Sequence, residues 1–327
     1  MILVTGATGI VGSQIVRYLV DQNEQVRAIK RESSDVSWLE DIDNQIDWIE
    51  ADIMDLVSLE NAFEGVTHVV HCAAIVSFDN SNDKLMHKVN VEGTKNVLEL
   101  CEKFNIQKLI FISSVAALGR NQQDQVITED AKWVQSPLNT EYAISKYKAE
   151  LEVWRAQEEG LSTAILNPSI VIGPGNWSNS SLNLFKMVKN GTPIYPTGSV
   201  NCVDVRDIAE ATHTLLKNKI EGERFILNAS MISYKTFFDL VAKAMNKKPP
   251  RIKVTPGLAT FAASLLRIVR FFTGMKTNIT RESVMLSQLN IMFSSEKAER
   301  MLGMKFRPVE ESVQWTYEQI VAKTSQH

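Results

Sequence analysis

The chain opens on Met1-Ile-Leu-Val-Thr-Gly-Ala-Thr-Gly-Ile-Val-Gly12, and this opening constrains the fold more than any other segment. Ile2 to Val4 form a short apolar run of the kind that becomes a buried parallel strand. Gly6, Gly9 and Gly12 follow, and Ser13 to Val20 is amphipathic. A strand, a glycine turn and a helix start in that order build a cradle for a pyrophosphate. Backbone N–H groups approach the anion where no Cβ intervenes, and the helix N-terminus adds its partial positive charge. The spacing is Gly-x-x-Gly-x-x-Gly rather than Gly-x-Gly-x-x-Gly, so the flanking strand and helix carry the reading of a dinucleotide site. A glycine triplet alone is often no more than a tight turn.

Strand-like and helix-like runs then alternate. Ile2–Thr5, Gln25–Ile29, Asp47–Glu50, His68–His71, Lys108–Ser113 and Thr163–Asn167 read as strands. Ser13–Asp21, Leu56–Phe63, Val89–Phe104 and Tyr142–Glu159 read as helices. This alternation predicts an α/β chain with a doubly wound parallel sheet of Rossmann type, its ligands past the carboxyl ends of the strands. After Gly173-Pro174-Gly175 the chain turns to loops rich in Ser, Asn, Gly and Pro, and Gly222–Asn228 reads as one more strand. The expected division is a dinucleotide-binding domain of 1–173 plus 201–230, and a smaller substrate lobe of 174–200 plus 231–327.

The 327 residues carry a net charge of −3, which gives no reason to expect nucleic acid as a partner. Cys72, Cys101 and Cys202 are widely spaced, form no zinc pattern and suit a reducing cytosol, so neither a metal nor a disulfide is expected. The chain begins on a core strand without a charged n-region, which predicts no signal peptide and a cytoplasmic protein. The apolar stretch 258–272 is too short to span a bilayer comfortably and carries Arg267 and Arg270. No membrane span is expected; a packed helix, a lid over a substrate pocket and a membrane-surface helix remain open.

Tyr142 and Lys146 stand four apart at the start of a helix, which puts both side chains on one face. An ammonium near a phenol lowers its pKa, and a phenol so poised can exchange a proton with a carbonyl or alcohol oxygen. Ser113 and Ser114 end a strand, where one hydroxyl can orient the reacting oxygen and the other cap the turn.

The chain resembles the extended short-chain dehydrogenase/reductases over essentially its whole length. The resemblance is carried by Thr5-Gly-Ala-Thr-Gly-Ile-Val-Gly12, Asp52, His71-Cys-Ala-Ala74, Asn90-Val-Glu-Gly-Thr94, Ser113-Ser114, Tyr142-x-x-x-Lys146, Asn167-Pro and Gly173-Pro-Gly175, in that order. Ser294-Ser-Glu-Lys-Ala-Glu-Arg-Met-Leu-Gly303 and Phe306-Arg-Pro308 match its C-terminal segment. It implies a catalytic set of Ser114, Tyr142 and Lys146, with Asn90 supporting a proton-relay water. It implies cofactor contacts from Thr5, Gly6, Thr8, Gly9, Ile10, Val11 and Gly12, and from Asp52 and Ile53 near the adenine. Cys72, Ala73 and Ala74, then Lys146, Asn167, Pro168 and Ser169, complete that implied lining.

Three departures narrow the reading. Lys30 stands eighteen residues past Gly12, where a sugar epimerase resembling this chain carries Asp, and Arg31 follows. Basic residues there suit the 2′-phosphate, so NADP(H) is the expected cofactor and NAD(H) the alternative. Val115-Ala116 replaces the Asp-Glu that dehydratases place after the catalytic hydroxyl. Asn201-Cys202 stands where sugar-nucleotide enzymes carry an arginine for the substrate diphosphate. Val26-Arg-x-x-x-Arg31, Asn167-Pro-Ser and the apolar 258–272 stretch resemble the dihydroflavonol-reductase-like branch.

The expected function is NADPH-dependent reduction of a ketone or aldehyde on a small, moderately hydrophobic substrate. Phe78, Leu118, Trp133, Trp177, Leu182 and Phe185 are the candidate apolar pocket residues. The alternatives are a sugar or nucleotide-sugar epimerase with retained NAD(P), and a non-catalytic dinucleotide sensor. Helices 89–104 and 142–159 can seat a homodimer or serve as plain core.

Overall fold

The structure is a computed structural model that describes residues 1–77, 82–120, 125–177, 182–255 and 281–325. The apolar stretch 258–272 and Phe78 lie outside the described residues.

The first half runs β1 (Ile2–Thr5), α1 (Ile10–Asp21), β2 (Val26–Lys30), a 3₁₀ segment Ser37–Gln45, β3 (Ile46–Glu50), α2 (Leu56–Ala62), β4 (His68–His71), α3 (Asp83–His87), α4 (Gly93–Lys103) and β5 (Lys108–Ile112). Then come β6 (Val126–Ile127), α5 (Glu141–Glu158), β7 (Thr163–Pro168), β8 (Ile170–Ile172), α6 (Asn183–Lys189), β9 (Ile194–Pro196), β10 (Ser199–Asp204), α7 (Val205–Lys217) and β11 (Glu223–Leu227). The chain continues through β12 (Ser230–Ser233), α8 (Tyr234–Ala244), β13 (Ile252–Val254), α9 (Arg281–Leu286), β14 (Met292–Phe293), α10 (Glu296–Leu302) and α11 (Val309–Thr324).

Seven strands form one sheet in the order β11-β7-β5-β4-β1-β2-β3, every pairing parallel. Its strands are apolar on both faces because helices cover both. Val4, Ile110 and Leu166 pack with Ile15, Val16 and Leu19 of α1 and Ile208 and Leu215 of α7. Leu3, Phe111 and Ile165 point the other way, onto Leu59 of α2, Val97 of α4 and Val153 of α5. Each such fully buried side chain contributes about 1.5–3 kcal/mol. The chain leaves β1 toward β2 and β3 and returns to β4 on the opposite side, so the switch point lies beyond the ends of β1 and β4.

The smaller sheet has the order β12-β10-β8. Beside it Phe185 and Val188 of α6, Phe237, Phe238 and Val241 of α8, and Val313 and Ile320 of α11 form a separate core. This corrects part of the pocket reading. Leu182 and Phe185 are both 1% exposed and belong to that core. Leu118 is buried against Ile127, Ile226 and Phe293, and Trp133 stacks on Tyr147 at 4.2 Å between ring centroids.

Residues 89–104 are not one regular helix. A π-turn spans Lys88–Glu92 before α4 begins at Gly93, where a Cβ would lie 2.6 Å from Ile53 Cδ1. The wide turn places Asn90 inward, against the loop after β4 and against α5.

Candidate active site

The glycine turn is closed by sterics. Gly6 has φ +67°, and a Cβ there would lie 2.6 Å from the Ala73 nitrogen. A Cβ on Gly12 would lie 2.1 Å from the Gly6 carbonyl oxygen. Gly9 is the exposed N-cap of α1; no side chain caps it and no acidic residue occupies the first turn. The first amides of α1 therefore face outward with no partner from the helix itself. Thr8 is half-buried, Ile10 packs against the lobe core, and Val11 against the core under α1. A dinucleotide pyrophosphate fits this cradle.

A buried chain of hydrogen bonds leads away from it. Ala73 N–H donates to Thr5 Oγ1 at 3.3 Å, and Thr5 Oγ1 lies 2.6 Å from His71 Nδ1. His71 Nε2 lies 3.0 Å from Thr94 Oγ1, whose proton goes to the Asn90 carbonyl at 2.7 Å. Thr94 can therefore only accept from His71, which assigns the ring proton to Nε2. Burial, with the Lys146 charge nearby, lowers the His71 pKa to about 3 and keeps the ring neutral. Both amide protons of Asn90 are committed, to the Ile75 carbonyl and to Ser145 Oγ, and its oxygen accepts from Ile75 N–H.

Ser114, Tyr142 and Lys146 come together at the carboxyl end of β5. Ser114 caps the 3₁₀ turn Val115–Leu118, its Oγ accepting from Ala116 N–H at 3.2 Å. The Tyr142 phenol lies close enough to the same hydroxyl for it to favour the phenolate. Thr140 starts α5 by accepting from Ala143 N–H at 3.1 Å, which sets Tyr142 in the first turn. Lys146 is 2% exposed; its Nζ donates to the Ile112 carbonyl at 2.9 Å and stands 4.4 Å from the Phe111 ring centroid. Burial pushes its pKa down to about 8, with the Glu150 charge opposing.

The spacing rule did not reveal a second cation near the phenol. Burial raises the Tyr142 pKa, and what opposes it is the nearby Ser114 hydroxyl and the charge of Arg120. Lys146 instead turns toward the strand end. Arg120 and Glu150 were not singled out from the sequence. The only signals were a lone Arg after Leu118-Gly119 and a carboxylate one further turn along the Tyr142–Lys146 face.

Glu150 is 1% exposed beneath Lys146 and accepts from Asn167 Nδ2 at 2.5 Å and Arg224 Nη1 at 3.4 Å. Asn167 Nδ2 also donates to the Ser114 carbonyl at 3.0 Å. Ser113 Oγ makes no hydrogen bond of good geometry, although it lies close enough to Glu150 to favour the charged carboxylate. Asn167 Oδ1 and Ser169 Oγ are buried without a partner, which suits a polar ligand at this edge. Pro168 pairs with Leu227 in the sheet.

The remaining implied cofactor residues are spread along the edge. Lys30 ends β2 and Arg31 follows it; Lys30 Nζ lies 5.3 Å from the Trp48 ring centroid, and neither pairs with a carboxylate among the described residues. Asp52 accepts from Met54 N–H at 2.9 Å and is half-buried, while Ile53 is 6% exposed in the core with its side chain against Gly93. Cys72 bonds through its N–H to the Thr5 carbonyl, and burial pushes its thiol up to about 12; Ala74 is exposed. Asn201 donates to the Ile291 carbonyl, and Arg206 is held by Asp204 and Glu311. A separate cleft lined by Trp133, Tyr147, Trp154 and Lys297 meets this network at Glu150 and Arg224, and its lining does not include Ser114, Tyr142 or Lys146. Among the described residues no cluster is arranged to hold a metal ion, and no helix is long and apolar enough to cross a membrane.

Comparison with known proteins bears on this arrangement. The family described as "NAD dependent epimerase/dehydratase family" matches residues 2–228. A Synechocystis relative whose name carries the words dihydroflavonol 4-reductase is 30% identical over 92% of this chain and 89% of its own. Cinnamoyl-CoA reductase 1 of Oryza sativa is 31% identical over 68% and 69%. The crystal structure of gox2253 superposes with a TM-score of 0.84 at 30% identity, covering 100% of this chain and 98% of that one.

Proposed function

The chain belongs to the NAD-dependent epimerase/dehydratase family of extended short-chain dehydrogenase/reductase enzymes, and from that premise we propose an NADPH-dependent reductase of a ketone or aldehyde. The observation that carries this reading is the closeness of the Ser114 hydroxyl to the Tyr142 phenol beside buried Lys146, at the same sheet edge as the glycine cradle. Relatives named as reductases support it.

When bound, the reduced nicotinamide supplies a hydride to the carbonyl carbon. Tyr142 gives its phenolic proton to the carbonyl oxygen as charge develops there, and Ser114 holds that oxygen and the phenol in line. Lys146, with a pKa of about 8, is largely charged at neutral pH and would hold the nicotinamide ribose hydroxyls. Asn90 acts by position, holding Ile75 and, through Ser145, helix α5 in register. Thr5 to Gly12 would hold the pyrophosphate, Asp52 and Ile53 the adenine, and the loops 72–74 and 167–169 the nicotinamide end. Lys30 and Arg31, without carboxylate partners among the described residues, suit a 2′-phosphate.

A nucleotide-sugar epimerase is the less supported reading. Asn201 holds a backbone carbonyl where a diphosphate clamp would stand, and Arg206 already has two carboxylates. For a homodimer, Leu151 on α5 is 47% exposed; light scattering of the free protein tests it.

The test is a paired calorimetric titration of NADPH and NADH, followed by a panel of ketones and aldehydes. A preference of roughly ten- to a hundredfold for NADPH, with the cofactor consumed on turnover, is the expected result. Equal affinities, or cofactor retained unconsumed while a nucleotide sugar is epimerised, would overturn the proposal.

A further inference from the structure

The geometry points to Arg120 as a substrate subsite for a carboxylate, so that the molecule reduced or oxidised at Tyr142 is a keto or hydroxy acid with an apolar body. The inference rests on the reading of Tyr142 given above and adds the substrate's chemical class.

Arg120 is mounted rigidly. Ser114 and Arg120 bracket the 3₁₀ turn Val115–Leu118, whose four residues are all buried. Gly119 ends that turn with φ +73°, and a Cβ on it would meet the Trp133 ring at 3.3 Å. The backbone that orients Ser114 toward Tyr142 thus also sets where the guanidinium emerges. That guanidinium lies 5.9 Å from the Phe293 ring centroid. Its charge acts on two phenols, Tyr142 in the reaction centre and Tyr234 at the start of α8. Arg120 therefore stands between the large sheet and the smaller lobe.

Among the described arginines that are not exposed, its pairing sets it apart. Arg17 has Asp41, Arg27 has Asp47, Arg206 has Asp204, Arg224 has Glu150 and Arg307 has Asp207. Arg120 pairs with no carboxylate among the described residues, although it is only partly exposed and burial works against its charge. A desolvated guanidinium without a counter-ion is unfavourable until an anion arrives. Its planar fork of donors matches a carboxylate through two parallel hydrogen bonds. One uncompensated positive charge suits one negative charge, whereas a phosphate dianion calls for a second free cation. Lys146 is not that cation, because its ammonium is held by the Ile112 carbonyl and faces Glu150. Phe293 and the ring of Tyr234 give the subsite apolar walls.

The experiment is calorimetric titration of the protein saturated with whichever of NADP⁺ and NADH-derived NAD⁺ binds tighter. The probes are cinnamate against cinnamamide, 3-hydroxybutyrate against 3-hydroxybutyramide, and phenyl phosphate. At least one carboxylate should bind roughly ten- to a hundredfold tighter than its amide. Arg120→Gln should reduce that preference to about twofold or less, and Arg120→Lys should keep part of it. Tyr142→Phe should retain the preference in full, so a failure of the reductase reading leaves this result standing on its own. The melting temperature of Arg120→Gln should hold or rise, because no ion pair among the described residues is lost. The inference is overturned if no carboxylate outbinds its amide, or if Arg120→Gln keeps the preference. It is equally overturned if phenyl phosphate outbinds every carboxylate, or if Arg120→Gln melts several degrees lower.

Discussion

The glycine cradle and the reaction centre share one edge of one sheet, yet they are built by opposite means. The cradle is backbone from a single strand, turn and helix, closed because Gly6 and Gly12 leave no room for a Cβ. The reaction centre is made of side chains from the turn after β5, from α5 and from β7, held by a buried polar network. The first kind of site is written in contiguous residues and fails by steric collision. The second exists only when distant elements are packed, and it fails by chemistry while the fold survives.

The sharpest break of that comparison is Tyr142→Phe. Turnover should fall by ~10²–10⁴-fold with melting temperature and cofactor affinity nearly unchanged. Steady-state kinetics beside a cofactor titration checks it, and an unchanged rate would remove Tyr142 from the proposed chemistry. Gly12→Ala should do the reverse. The new Cβ collides with the Gly6 carbonyl, so stability should drop by about 3 kcal/mol and cofactor binding should be lost. Denaturant unfolding measures the first effect and calorimetry the second.

Replacing Lys30 and Arg31 together by Ala sharpens the cradle side. NADPH affinity should fall roughly ten- to a hundredfold while NADH affinity stays within about twofold. The smallest expected effect is Glu150→Gln. Lys146 titrates near pH 8, so turnover should decline as pH rises through about 8 and the ammonium loses its proton. Removing the Glu150 charge withdraws a contribution that raises that pKa, so the declining limb should move to lower pH. A limb that stays in place would mean that Glu150 does not act through Lys146.

The strands were legible because burial on both faces forces near-continuous apolar runs. His68–His71 and Ile2–Thr5 run as their patterns predict, and the other main-sheet strands differ only at their ends. The break in 89–104 was not legible. It comes from Asn90 bonding Ile75 and Ser145, fifteen and fifty-five residues away in the chain. Leu182 and Phe185 show the same limit, since an apolar residue in a loop reads alike whether it lines a pocket or fills a core.

The sequence by itself determined the parallel sheet, the phosphate cradle and the pairing of Tyr142 with Lys146 on one helix face. Each of these depends on near neighbours, on helical or strand period, or on the absence of a side chain. Only the tertiary structure decided which charge acts on the Tyr142 phenol, what lies beneath Lys146, and that Arg120 pairs with no carboxylate among the described residues. Those are sums of desolvation and Coulomb interactions among groups distant in sequence, and such sums acquire a sign only when the chain is packed.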